Sequence, residues 1–306
     1  MKFYISTIPF GSTNKAPIEA ISKEGHSFEI NSLGRKITEE ELIKKLHDID
    51  VLVAGTEPIT KKVLESAKNL KIISRVGIGI DNIDLDQAKK QNIKIFNTPE
   101  GPSMAVAQYT LGLMLSMTRH IHLSARELSK GVWDKKMGHG FESLSFGLIG
   151  FGRIGKKVSR LLKAFNPKEI LFYDPFDKGE DEVSAKKVDF DFLLQKADIV
   201  SLHLPLESNT KGLISSKEIK KMKKNAIIIN TSRGGIIDEK DLHKALSNKM
   251  IGGAALDVFE NEPYEGPLST LDNCLLTPHS APMTTTSREN MEYTAVKQAI
   301  DQLKRL

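Results

Sequence analysis

A chain of 306 residues has room for two domains with cores of their own, and 40% apolar with 27% charged residues is the balance of an ordinary globular protein. The net charge of +5 is scattered, and the one dense basic run, Lys220–Lys224, has no interleaved aromatics, which favours a solvated helix face over a nucleic-acid stripe. The single Cys274 excludes an intrachain disulfide and fits a reducing cytosol; the N-terminus lacks a signal-peptide core, and the longest apolar stretch, 104–117, is too short to span a bilayer and carries Gln108 and Tyr109.

In chain order, short β-branched runs at 2–7, 51–55, 71–77 and 94–98 read as strands. Between them, "TEEELIKKLHD" with Thr38 as cap, and "TKKVLESAKN" after Thr60, read as helices. At "NTPEGPS", 97–103, two prolines and a glycine break the rhythm and mark a domain boundary. The apolar stretch 104–117 follows as a buried helix. A second series of strands is expected at 145–150, 169–174, 198–205, 225–232, 251–259 and 273–279. After Pro282 one last helix, about Thr284 to Leu306, has no strand behind it and is expected to pack back on the first domain. Alternation of this kind predicts parallel sheets covered on both faces.

The stretch "SFGLIGFGRIGKK", 145–157, admits two readings. Read as G-x-x-x-x-G-K it would be an ATP-type loop, but that loop needs Ser or Thr after its Lys, and Lys156 is followed by Lys157. Read as G-x-G-x-x-G it is a dinucleotide turn between a strand and a helix. Gly150 then allows the tight turn, Gly152 the approach of the pyrophosphate, and Gly155 the close packing of the helix. That helix is expected to bury Ile154, Val158, Leu161, Leu162 and Phe165, and to offer its N-terminal N–H groups to phosphate. Asp174, nineteen residues beyond Gly155, is placed to accept the adenosine ribose hydroxyls and to repel a 2′-phosphate. With no Arg in "YDPFDKGED", NAD is favoured over NADP. The plainer reading of Asp174 is a strand-end turn residue before Pro175.

Hydride chemistry on such a fold also needs a grip for substrate and a proton donor, at the carboxyl ends of the later strands. Arg233 in "INTSRGG" offers a fixed charge and a two-pronged grip, and His279 in "LLTPHSA" titrates near neutrality. Glu262 in "DVFENEP" could orient the imidazole. Each has a plainer reading: a turn cap for Arg233, a solvated loop residue for Glu262, a packed or surface histidine for His279. His203 in "SLHLPL" closes a strand near the expected cofactor and is assigned a structural hydrogen bond.

Taken together, "RVGIGIDNIDL" (75–85), "GLIGFGRIG" (147–155), "FYDP" (172–175), "HLPL" (203–206), "INTSRGGIIDE" (229–239), "GAALDVFENEP" (253–263) and "LTPHSA" (276–281) resemble the D-isomer-specific 2-hydroxyacid dehydrogenases over nearly the whole length. The resemblance implies two doubly wound parallel-sheet domains, a Rossmann NAD-binding domain (99–282) inserted in a discontinuous, flavodoxin-like substrate-binding domain (1–98 plus 283–306). It implies Arg233 on the substrate carboxylate and carbonyl, and His279 as acid/base paired with Glu262. It places Asp257 on the nicotinamide carboxamide, Thr231 and Ser232 along the cofactor cleft, Arg153 and Ile154 over the pyrophosphate, and Asp174 on the ribose. Backbone N–H groups of Val76, Gly77 and Ile78 would meet the substrate carboxylate. It implies a homodimer built on the helix from Ser103 to about His120, with a small 2-hydroxyacid or 2-ketoacid as substrate; the composition adds a cytoplasmic protein with neither nucleic acid nor membrane as partner, and no metal is expected.

Departures bear on the substrate. Many phosphoglycerate-specific members carry an Arg in the turn after the third strand, where "VLVAGTEPIT" has Ala54, and Ala107-Gln108 stands where Ala-Glu is usual. The chain ends at Leu306, so no C-terminal regulatory domain and no serine feedback through one is expected. The alternative from another class is an NAD(H)-sensing, corepressor-like binding protein. Formate oxidation is a lesser rival, since formate enzymes tend to pair their His with Gln.

Overall fold

The computed structural model describes residues 1–177 and 185–305. The reading that no Arg follows Asp174 falls partly on 178–184, and the last helix's end on Leu306; both lie outside the described residues. The chain divides into two compact units, one made of Met1–Pro102 with Met283–Leu306 and the other of Ser103–Pro282.

The first unit opens β1 (Lys2–Ile5), α1 (Ala16–Lys23), β2 (Ser27–Ile30), α2 (Glu39–Lys45), β3 (Val51–Ala54), α3 (Lys61–Ser66), β4 (Ile72–Arg75), α4 (Leu85–Lys90) and β5 (Lys94–Phe96). All its strand pairs are parallel, in the flavodoxin-like order β2-β1-β3-β4-β5. Thr38 caps α2 in a full capping box: its hydroxyl accepts from Glu41 N at 3.3 Å, and the Glu41 carboxylate accepts from Thr38 N at 2.9 Å. Alternation along the strands splits the core. Tyr4, Leu52 and Ile73 pack under α2, α3 and α4, while Phe3, Val53 and Ile72 face the opposite side. The edge strand β2 was hidden in the sequence because its four residues, "SFEI", are short and half polar.

The second unit contains α5 (Ser103–Thr118), α6 (Ile121–Leu128), β6 (Ser145–Ile149), α7 (Arg153–Lys163), β7 (Glu169–Tyr173), β8 (Lys186–Lys187), α8 (Phe190–Lys196), β9 (Ile199–Leu202), α9 (Ser216–Ile219), β10 (Ile227–Asn230), α10 (Glu239–Ser247), β11 (Gly253–Leu256) and β12 (Cys274–Leu276). Its parallel sheet runs β12-β11-β10-β9-β6-β7-β8, the doubly wound order of dinucleotide folds with one strand added. The order reverses between β6 and β9. One face carries α5 and α7 over Phe146, Leu148, Ile199 and Ile229; the other carries α8, α9 and α10 over Val200, Leu202, Ile228 and Leu256. The apolar character of α5 is thus used inside this unit, with Val106, Leu113, Met114 and Met117 buried. Phe165 is not on the buried side of α7: it lies past the helix end and is 41% exposed. The run Lys220–Lys224 likewise lies beyond the end of α9, not along a helix face.

The last helix, α11 (Thr285–Leu303), belongs to the first unit. Its Met291, Ala295, Val296 and Ala299 fill the core opposite α2 and α3, and Ser74 of β4 donates to the Ala295 carbonyl at 2.8 Å.

Candidate active site

The glycine turn after β6 has the geometry a diphosphate needs. Gly150 has φ +91°, open to glycine at little cost, and a Cβ there would lie 2.4 Å from the His203 carbonyl oxygen. A Cβ on Gly155 would lie 2.3 Å from the Gly150 carbonyl oxygen, so α7 sits hard against the turn. Nothing lies within 4 Å of a Cβ on Gly152, the helix N-cap, whose side is the one a ligand would approach. Asp174 accepts from Phe151 N at 2.8 Å and from Phe176 N at 2.9 Å, so the end of β7 is tied to the glycine turn. The cradle, the helix N-terminus and the strand-end carboxylate fit a dinucleotide.

Three loops, after β10, β11 and β12, are latched to one another. Asn230 organises the first: its side-chain oxygen accepts from Ser232 N (3.0 Å) and Oγ (2.7 Å), and its amide donates to the Arg233 carbonyl (2.8 Å). Arg233 is partly buried, with Nη1 donating to the Ser232 carbonyl at 2.6 Å. The loop then runs so close to the second that a Cβ on Gly234 would lie 1.9 Å from the Phe259 carbonyl oxygen. In that second loop Phe259 N donates to Glu262 Oε1 at 3.2 Å. Glu262 Oε2 in turn meets His279 Nδ1 at 2.8 Å, both side chains about 30% exposed. His279 takes φ +53°, a left-handed conformation held from both sides.

What holds it is Asp257. This fully buried carboxylate accepts from Thr277 Oγ1 (2.5 Å), Ser280 N (2.8 Å) and Ala281 N (2.8 Å), and its own carbonyl accepts from His279 N (2.9 Å). Burial pushes the Asp257 carboxyl above its ordinary range, against those hydrogen bonds, which favour the charged form.

Other expected site residues also make bonds within the fold. Thr110 Oγ1 donates to the Val106 carbonyl, so in the 2.7 Å contact with Thr231 the Thr231 hydroxyl must be the donor. The hydroxyl protons of Thr231 and Ser232 are thereby used inside the fold, and what the two residues can offer a ligand is main chain or a hydroxyl oxygen that accepts. In the first unit, Val76 N donates to the Ala54 carbonyl (2.9 Å) and Gly77 N to Thr98 Oγ1 (2.8 Å). Of the three N–H groups expected to greet a carboxylate, Val76 and Gly77 are already bonded, leaving Ile78. His203 makes no side-chain hydrogen bond: neither ring nitrogen has a partner among the described residues, contrary to its expected structural role. Asn230 and Thr98 were missed in the sequence: Asn230 acts through a local turn and Thr98 through Gly77, 21 residues away, and only coordinates show either.

Residues 111–281 match the model of the NAD binding domain of D-isomer specific 2-hydroxyacid dehydrogenases. The chain is 44% identical over 256 residues to D-3-phosphoglycerate dehydrogenase of Methanocaldococcus jannaschii, covering 81% of this chain and 48% of that one. It is 39% identical over 282 residues to hydroxypyruvate reductase of Thermotoga maritima, covering 90% and 92%. Its fold matches the NAD-dependent formate dehydrogenase of Staphylococcus aureus, solved in complex with NAD, with TM-score 0.88 and 27% identity over 99% and 95% of the two chains. This chain therefore belongs to the D-isomer specific 2-hydroxyacid dehydrogenase family, and its second unit carries that family's NAD-binding domain. It spans about half the length of the phosphoglycerate dehydrogenase it matches and nearly all of the hydroxypyruvate reductase. Among the described residues no helix is long and apolar enough to cross a membrane, and no group of His, Cys, Asp and Glu could hold a metal ion.

Proposed function

We propose that this protein interconverts a small 2-ketoacid and the matching D-2-hydroxyacid, with NAD(H) as the redox partner. The observation that carries the reading is the 2.8 Å contact between His279 Nδ1 and Glu262 Oε2. A carboxylate on Nδ1 fixes the tautomer and leaves Nε2 to face the substrate. Bound NADH supplies the hydride that reaches C2 of the ketoacid. His279, protonated, gives the Nε2 proton to the carbonyl oxygen, and takes it back in the reverse direction. Arg233 holds the substrate carboxylate and steadies charge on the carbonyl oxygen as it becomes an alkoxide. Asp257 keeps the His279 turn in register, and one of its oxygens remains able to accept from the nicotinamide carboxamide. Glu262 at the His partner position speaks against formate oxidation.

Similar proteins are named hydroxypyruvate reductase, glyoxylate reductase and D-3-phosphoglycerate dehydrogenase, which makes hydroxypyruvate, glyoxylate and 3-phosphoglycerate, as its ketoacid, the candidates. Ala54, which ends β3 where many phosphoglycerate-specific members carry an Arg, favours the first two over the phosphorylated acid. Steady-state NADH consumption on these substrates tests the reading. Turnover with at least one unphosphorylated ketoacid is expected; NADH binding without consumption on every acid would favour the corepressor-like alternative instead.

The protein is further proposed to act as a cytoplasmic homodimer. Apolar side chains gather on and after α6, with Leu128 55%, Trp133 81% and Met137 91% exposed, and a second copy of the chain would cover them. Sedimentation should give a dimer, and Trp133→Asp a monomer.

A further inference from the structure

The point where strand order reverses in the second unit, between β6 and β9, is flanked by two chain segments. One is the Gly150–Gly155 turn after β6. The other begins at His203, the first residue after β9, whose N–H continues the sheet by donating to the Ile149 carbonyl at 2.8 Å. Ile199 packs in the core beneath α5 and α7, so the two-residue period of the strand puts Ser201 on the same face and carries His203 onto it. The ring confirms this, since its Cδ2 lies 3.7 Å from where a Cβ of Gly155 would be. Ser159, one helical turn beyond Gly155, faces the same seam from α7.

This seam is polar where the rest of the interface is apolar. Ser159 Oγ, Ser201 Oγ and both ring nitrogens of His203 are shielded from solvent with no hydrogen-bond partner among the described residues. Residue 203 keeps some exposure as a whole, but its nitrogens do not share it. Burial pulls its imidazole down to about 3, so the ring is neutral at physiological pH, with one nitrogen a donor and the other an acceptor. A buried polar group left unmade is a net cost in the unliganded protein, and a phenyl ring of nearly the same outline would avoid it. Keeping an imidazole there makes physical sense if its partner arrives with the ligand.

We infer that His203 is a cofactor-positioning residue whose ring donates, once the dinucleotide is seated on the Gly150–Gly155 turn, to an oxygen of its diphosphate–ribose segment. The inference rests on the reading of that turn as an NAD(H) site and adds a specific side chain to it. His203 has no part in proton transfer to substrate; that belongs to His279.

The test compares His203→Phe with His203→Gln in the full chain, by NADH fluorescence titration and by melting without cofactor. The Phe variant should bind NADH about tenfold more weakly, as expected for one lost hydrogen bond, yet melt at the wild-type temperature or above. The Gln variant, which restores a donor, should bind within about threefold of wild type. A Phe variant that binds NADH as wild type does overturns the inference, and so does equal weakening in Phe and Gln, which would make ring shape the property that matters. If the Phe variant fails to fold, His203→Met takes its place under the same criteria. Failure of the wild-type protein to bind NADH would instead overturn the reading of the turn itself.

Discussion

Both units are doubly wound parallel sheets, and both gather polar groups at the carboxyl ends of their strands, but they use them differently. In the first unit several of these groups satisfy each other. Glu57, 2% exposed, accepts from Ser6 Oγ and from Gly55 N at 3.0 Å, and Asn31 donates to the Ser6 carbonyl. Arg288 and Glu292 of α11 form a buried pair at 2.5 Å that also takes Gly11 N and Thr7 Oγ1. In the second unit the corresponding edge has an open side at Gly152, unpartnered nitrogens at His203 and a half-exposed imidazole at His279. Shared topology says where a ligand could bind; the state of the polar groups says which edge is prepared to receive one.

That contrast can be broken or sharpened by substitution. The largest effect is expected for Arg233→Ala, where loss of the fixed charge on the developing alkoxide should lower kcat/KM by about 10³ with the fold intact; a KM change alone, with kcat kept, would reduce Arg233 to a binding role. Glu262→Gln should lower kcat by about ten- to a hundredfold, the range of a hydrogen bond to a charged partner, while leaving NADH affinity unchanged in the same titration. Asp257→Asn replaces an acceptor-only group by one that cannot serve both Ser280 N and Ala281 N as well; urea denaturation should show a loss of about 2 kcal/mol, and an unchanged midpoint would deny Asp257 its role in holding the His279 turn.

A smaller effect concerns acid. His203 takes its proton near 6.5 when unfolded but only near 3 when folded. Between those values the unfolded state binds more protons, so this group's contribution to stability is present above about 6.5 and is lost as pH falls toward 3. The slope is at most about 1.4 kcal/mol per pH unit. Denaturation without cofactor at pH 7 and pH 4.5 should therefore cost wild type more than His203→Phe; equal losses would contradict burial of the neutral ring. In the first unit, Thr98→Ala removes the shorter of the two bonds from Gly77 N, leaving the one to the Arg75 carbonyl at 3.1 Å, and should cost about 1 kcal/mol.

Much of this was legible in the sequence because the signals are local. Thr38 and Thr60 announce helix starts by their own chemistry, and the glycine spacing at 150–155 encodes a turn whose steric reasons lie within six residues. The family motifs carried Arg233, Glu262 and His279, and the two carboxyl-end loops of Glu262 and His279 do meet. What was not legible depends on partners far along the chain. The hydroxyl of Thr231 turns inward because Thr110, on another element, accepts it. Gly77 N is spent because Thr98 lies across from it. The edge strand β2 and the two-residue β8 have too few residues to show a period, and they exist because a neighbouring strand offers its edge.

The most direct test of the account is His279→Ala, measured for both NADH affinity and single-turnover reduction of the ketoacid the wild-type protein prefers. NADH should bind as in wild type, while the chemical step slows by about 10³-fold or more, the scale of a lost general acid. A variant that turns over at close to the wild-type rate would show that the imidazole held by Glu262 does not deliver the proton.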